Sequence, residues 1–139
     1  MDKISPQKSF DEIKDQVSKL SLDRRWAMAC YIPAVNIVAC ALTSVAMVQS
    51  EFCRFHARQG LVLFGLWFLT IFVGLISPEL NLMLWGVLLV LHLAGMIYSF
   101  MNKIVRIPII ASFADLIPEY YVYELLTGKK AEKSKSNII

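Results

Sequence analysis

Long uncharged stretches dominate the hydrophobic pattern of this chain. The first covers residues 26–48 and the second covers 60–76. A third covers 80–101, and the short segment 77–79 between the last two has the character of a tight turn. A helix needs about 20 apolar residues to cross a hydrocarbon core about 30 Å thick. The pattern therefore predicts membrane spans at about 26–48, 58–76 and 80–101, the last two forming an antiparallel hairpin.

The first apolar run is interrupted by Pro33 and Asn36. Proline lacks an N–H and clashes with the preceding turn, so in lipid the freed carbonyl needs another partner. The run predicts either a kinked spanning helix or two half-helices that fold back on each other. Lys and Arg favour the cytoplasmic side of a membrane. Because a single crossing would put the six basic residues before Trp26 outside, the folded-back form is favoured.

Polar segments flank the apolar region. Residues 1–25 carry apolar positions at helical spacing and predict an amphipathic helix, with a frayed solvated arm as the alternative. Residues 104–126 contain a tyrosine cluster and predict interfacial helices, because tyrosine favours the membrane–water boundary. Residues 127–139 predict a basic disordered tail. The predicted fold is all-α: a polytopic membrane helical bundle whose membrane domain covers 26–126.

Composition and charge narrow the classes of function. Hydrophobic residues make up 57% of the chain and charged residues 18%, against about 45–50% and about 25% in soluble domains. A net charge of +3 is too weak to indicate a nucleic-acid partner, but it suits contact with anionic lipid headgroups. The two histidines have no cysteine or carboxylate at metal-ligand spacing, and no phosphate-binding glycine loop is present. We expect a non-enzymatic protein without metal or cofactor.

The most pointed motif is the polar segment FCRFHARQG at 52–60, called here the polar joint. Arg54 and Arg58 are four residues apart and share a helix face. Arginine grips phosphate with two parallel hydrogen bonds, so this face predicts a lipid-headgroup or partner site. The alternative is an ordinary basic anchor beside the membrane. The predicted binding residues are Arg54, His56, Arg58, Gln59, Lys103 and Arg106.

Two polar residues fall inside the apolar runs, Asn36 and His92. Ionisable groups within a membrane are often functional. We favour a structural interpretation, in which a neutral His92 bonds to Asn36 or to a carbonyl freed by Pro33. Gly95 and Ser99 form a small-xxx-small pair that would let another helix approach closely.

Three segments together resemble the Tic20-like family of small integral membrane proteins, which includes bacterial members of unknown function. They are YIPAVNIV, the polar joint with Leu61, and RIPIIASFADLI, and the resemblance covers about residues 26–118. It implies a bacterial inner membrane or an organelle inner membrane of bacterial origin. Plastid relatives imply a part in a protein-import channel, and magnetosome relatives imply shaping of a mineral-containing compartment. Plastid members are described with four spans, whereas three are predicted here.

Three functions remain open from the sequence. The first is a small subunit that packs with other membrane subunits or with its own copies and supports protein translocation. The second is a pore or carrier that conducts as an oligomer. The third is a membrane-organising protein that binds anionic lipid through its basic face.

Overall fold

The computed structural model describes residues 6–107 and 109–130, with side chains from residue 14 onward. This part of the chain is helical and contains no strand. Its helices are α1 (Pro6–Ala29), α2 (Asn36–Ala46), α3 (Glu51–Ile76), α4 (Pro78–Phe100), α5 (Ile110–Ala114) and α6 (Tyr121–Thr127).

The predicted hairpin is present as α3 and α4, joined by Ser77 alone. The Ser77 backbone N–H donates to Val73 at 2.9 Å and ends α3, while its hydroxyl accepts from the Leu80 N–H at 3.3 Å and begins α4. Pro78 occupies the first turn of α4, where its missing N–H costs nothing. Further along the pair, the Trp85 indole donates to the Thr70 hydroxyl at 3.0 Å. The hairpin is therefore fastened both at its turn and along its length.

The first apolar run does not form one helix. α1 continues through the predicted boundary at residue 25 as far as Ala29, and residues 30–35 turn the chain into α2. The Thr43 hydroxyl donates to the Trp26 carbonyl at 3.4 Å, so α2 runs back alongside the end of α1. With 11 residues, α2 is about 16 Å long and too short to cross a bilayer. The predicted span over 26–48 is not found as one helix, and the chain folds back, the form that the basic residues before Trp26 favoured.

Asn36 makes this fold-back possible. Its side-chain amide donates to the Cys30 carbonyl, which lies past the last turn of α1. Pro33 cannot continue the helix, so carbonyls at the end of α1 lack their usual i+4 donor. Asn36 supplies a donor from the first turn of α2 and is itself buried. One polar residue thus closes the turn between two apolar segments.

The C-terminal segment packs on the bundle in two pieces. α5 lies against α3 and buries Ile110, Ala111 and Ala114, while α6 lies against α2 with no buried residue. The region predicted as interfacial, 104–126, is thus an irregular segment followed by two short helices. Gly128 ends α6 with φ 66°, the left-handed conformation expected of a glycine stop. Most of the predicted disordered tail lies outside the described residues.

The outward faces of α3 and α4 are apolar. The most hydrophobic 18-residue window is only 22% buried in α3 and 17% buried in α4, whereas the core helix of a soluble protein is mostly buried. Each helix is long and apolar enough to cross a membrane. The described residues therefore contain two helices compatible with a membrane, and a three-span bundle is not confirmed.

Candidate functional site

The polar joint forms the first turns of α3, which begins seven residues before the predicted span at 58. Ser50 starts the helix, because its hydroxyl accepts from the Cys53 N–H at 3.3 Å and donates to the Asp23 carboxylate at 2.7 Å. Glu51 adds a negative charge to the first turn, which favours the helix dipole. The Asp23 bond also fastens the start of α3 to α1.

His56 stands at the centre of a buried polar cluster. Its Nδ1 lies 2.9 Å from the Tyr31 hydroxyl and 3.1 Å from the Ser99 hydroxyl. The Tyr31 hydroxyl also donates to the Gln59 side-chain oxygen at 3.1 Å, and the Gln59 amide nitrogen donates to the Val105 carbonyl at 3.5 Å. The four side chains are all buried and come from α1's end, α3 and α4. The cluster joins three parts of the chain at one point.

The hydrogen-bond pattern orients the Gln59 amide and the hydroxyl groups around His56. The Val105 carbonyl only accepts, so the Gln59 nitrogen faces it and the Gln59 oxygen faces Tyr31. The Ser99 hydroxyl gives its one proton to the Gly95 carbonyl at 2.8 Å, as Tyr31 gives its proton to Gln59. Nδ1 of His56 donates to the two hydroxyl oxygens when it carries the ring proton, and accepts from a hydroxyl in the other neutral tautomer.

Aromatic rings surround the rest of the His56 side chain. Phe52 and Phe55 meet its ring edge-on, with centroids 4.5 Å and 5.3 Å away. Nε2 makes no hydrogen bond with a described side chain. The cluster is closed and buried, so His56 and Gln59 do not present themselves to headgroups as the sequence predicted. Their polar atoms bind the interior of the protein.

Two glycines allow the helices to approach closely at this level. A Cβ on Gly60 would lie 2.6 Å from the Cys30 carbonyl oxygen and 2.7 Å from the Cys40 sulfur. A Cβ on Gly95 would lie 2.2 Å from the Tyr31 ring. The Gly95–Ser99 pair, predicted to admit a neighbouring helix, therefore serves the protein's own packing against Tyr31 and His56.

Arg54 turns towards the protein. Its Nη1 donates to the Val48 carbonyl at 2.7 Å, and its Nη2 lies 3.6 Å from the Glu119 carboxylate. Its guanidinium also stands 4.8 Å from the centre of the Tyr120 ring. Arg54 thus holds the loop after α2 and the segment before α6, and its charge is compensated by Glu119.

Arg58 has a different environment, although it lies one turn away on the same face. Its Nη1 donates to the Ile117 carbonyl at 3.3 Å, and its Nε, like that of Arg54, is buried without a hydrogen-bond partner among the described residues. No carboxylate forms an ion pair with it among the described residues. Arg58 is therefore a partly buried cation whose charge is not balanced by a described acidic side chain.

The other predicted residues lie apart from the cluster. Lys103 is exposed, and Arg106 is exposed and paired with Asp115. His92 is buried, with Nδ1 2.7 Å from the Leu88 carbonyl of its own helix. The predicted bond between His92 and Asn36 is not formed, since His92 binds the Leu88 carbonyl and Asn36 binds the Cys30 carbonyl. Both are structural contacts within apolar surroundings.

Sequence reasoning missed Tyr31 as a cluster member and treated Ser99 only as a small residue. Tyr31 is separated from His56 by 25 positions, and Ser99 by 43, so neither contact has a local signal. One signal was present: Tyr31 carries a polar hydroxyl within an otherwise apolar run, and a buried hydroxyl needs a partner.

No family model, curated protein or solved structure matches this chain. The described residues hold no group of three or more histidine, cysteine or acidic side chains placed to bind a metal. The fold and the joint define a class: an all-helical protein with two apolar helices compatible with a membrane, fastened at one end by a buried polar cluster.

Proposed function

We propose that the chain is a non-enzymatic integral membrane protein that acts as a small subunit of a larger membrane complex. The observation that carries this proposal is the apolar, exposed surface of the α3–α4 hairpin. Ile71, Leu82, Met83 and Val90 are each more than half exposed on it. Such a surface is stable in lipid or against other apolar helices, and is unfavourable in water.

The buried polar side chains of the hairpin form hydrogen bonds within the protein. This supports a protein that packs with other subunits over one that conducts ions or solutes. Thr70, His92 and Ser99 are three of the five buried polar residues of the hairpin, and each bonds to a backbone carbonyl of its own helix. The other two, His56 and Gln59, are bonded within the polar cluster. Polar groups that are satisfied within their own helix need neither water nor an ion as a partner. Together with the resemblance to Tic20-like proteins, this makes protein translocation the process to test first.

Membrane insertion is tested by fractionation. We expect the protein to stay with membranes through an alkaline wash and to need detergent for extraction. A chain that is monodisperse in detergent-free buffer would contradict the proposal, because the hairpin surface would then be in contact with water.

The subunit role is tested at two glycines that face open space. A Cβ at Gly65 or at Gly86 meets nothing within 4 Å, so a side chain added there starts into open space on the surface of the hairpin. We expect Gly65→Trp or Gly86→Trp to lose proteins that co-purify with the wild type in mild detergent. Elution volume and helix content serve as folding controls. A wild type that purifies as a monomer without partners contradicts the proposal, and ion flux in liposomes would favour a pore.

A further inference from the structure

An apolar groove lies between α2 and α6. Ile37 and Ala41 of α2, Leu61 of α3, and Ile117 and Leu125 on the C-terminal side line it, and its volume is about 640 Å³. That size is within the range of about 300–1,000 Å³ typical of small-ligand sites. Because its walls are aliphatic apart from the ring of Tyr121, the matching ligand is an aliphatic chain.

The groove opens on a surface suited to lipid. Val38 and Leu42 of α2 are 59% and 53% exposed, and they continue the apolar wall outward. In the membrane location proposed above, on which this inference rests, the groove is therefore at hydrocarbon depth. The molecules that fill apolar grooves at this depth are acyl chains of the surrounding phospholipids.

Arg58 provides the charge that selects the headgroup. Its guanidinium bonds to the carbonyl of Ile117, whose side chain lines the groove, and Leu61 lies one helical turn further on the same face. A partly buried guanidinium without a carboxylate is unfavourable until an anion reaches it. Arg54 has no such need, because Glu119 already lies beside it.

We infer that the α2–α6 groove binds one acyl chain of an anionic phospholipid whose phosphate is held by Arg58. The two arginines look equivalent in the sequence but have different roles. Arg54 joins the loop after α2 to the segment before α6, and Arg58 binds the headgroup. Zwitterionic phospholipids present the same phosphate with a cation attached, so they bind more weakly there.

Native mass spectrometry of the detergent-solubilised protein tests the inference. The wild type is titrated with phosphatidylglycerol and, separately, with phosphatidylcholine. We expect one tight phosphatidylglycerol adduct, weakened about tenfold or more by Arg58→Gln, since charge-assisted hydrogen bonds are the strong ones. Arg58→Lys keeps the positive charge but cannot form two parallel hydrogen bonds to phosphate. It should therefore weaken the phosphatidylglycerol adduct less than Arg58→Gln does. Arg106→Gln removes the same charge from an exposed position and should leave the phosphatidylglycerol adduct unchanged.

The groove is tested independently by filling it. Ala41→Phe should weaken the phosphatidylglycerol adduct to a similar degree, while Leu93→Phe, on the outer face of α4, should not. Equal losses in Arg58→Gln and Arg106→Gln would overturn the inference, since binding would then be a general charge effect. An adduct unchanged in both Arg58→Gln and Ala41→Phe would also overturn it. A protein that needs detergent yet carries no adduct refutes the lipid site and leaves the membrane location standing.

Discussion

Replacing Gly95 with alanine should loosen the contact between α1 and α4. The new Cβ would lie 2.2, 2.3 and 2.7 Å from three atoms of the Tyr31 ring, well inside van der Waals contact. The ring has little freedom to move, because its hydroxyl is bonded to His56 and Gln59. Either the helices separate, or Tyr31 leaves the cluster.

The loss in the free energy of unfolding caused by Gly95→Ala can be estimated from these contacts. Overpacking a tight site costs about 1–3 kcal/mol. If Tyr31 moves, two hydrogen bonds of about 0.5–1.5 kcal/mol each are lost as well. Alanine is the better helix former by about 1 kcal/mol, which offsets part of the loss. We expect Gly95→Ala to lower the free energy of unfolding by about 3 kcal/mol.

Unfolding in mixed micelles of mild detergent and SDS, followed by tryptophan fluorescence, measures this loss. Gly86→Ala is the matched control on the same helix, since a Cβ there meets nothing within 4 Å. Tyr31→Ala removes the obstructing ring, so adding Gly95→Ala to that variant should cost nothing further. Equal stability of Gly95→Ala and Gly86→Ala would refute the packing argument.

Two further changes test the polar contacts around the cluster. Asn36→Ala leaves the buried Cys30 carbonyl without its donor and should cost about 1–3 kcal/mol in the same unfolding assay; wild-type stability would contradict the turn-closing role. Arg54→Gln frees the Val48 carbonyl and Glu119, so amides of α6 should exchange hydrogen faster while those of α4 do not; unchanged exchange in α6 would contradict the fastening role.

The hairpin could be predicted because its signals are local. Uncharged runs on both sides of Ser77 and Pro78 are sufficient to define two helices and a tight turn. The first apolar run allowed two interpretations, a kinked spanning helix or a pair of half-helices that fold back. The sequence favoured the second only through the number of basic residues before Trp26. The contact that establishes the fold-back joins Thr43 to Trp26, and no pattern in the sequence encodes it.

The sequence drew attention to the polar joint as a segment, but it could not predict the contacts that its residues make. His56 and Gln59 were predicted to face headgroups, because a polar motif beside an apolar run is expected at the surface. They are buried because Tyr31 and Ser99 bring hydroxyls to them from distant positions. Arg54 and Arg58 could not be told apart by spacing, since the difference depends on where Glu119 lies.

The bond between Ser99 and His56 sets the position of the polar joint along α4. Ser99 lies in the last turn of α4, so the bond places His56 level with the end of that helix. The polar side chains that meet there are buried, and a buried polar atom without a partner costs about 1–3 kcal/mol. A histidine, a glutamine and two hydroxyls that satisfy one another let a hydrophilic stretch reside where solvent does not reach.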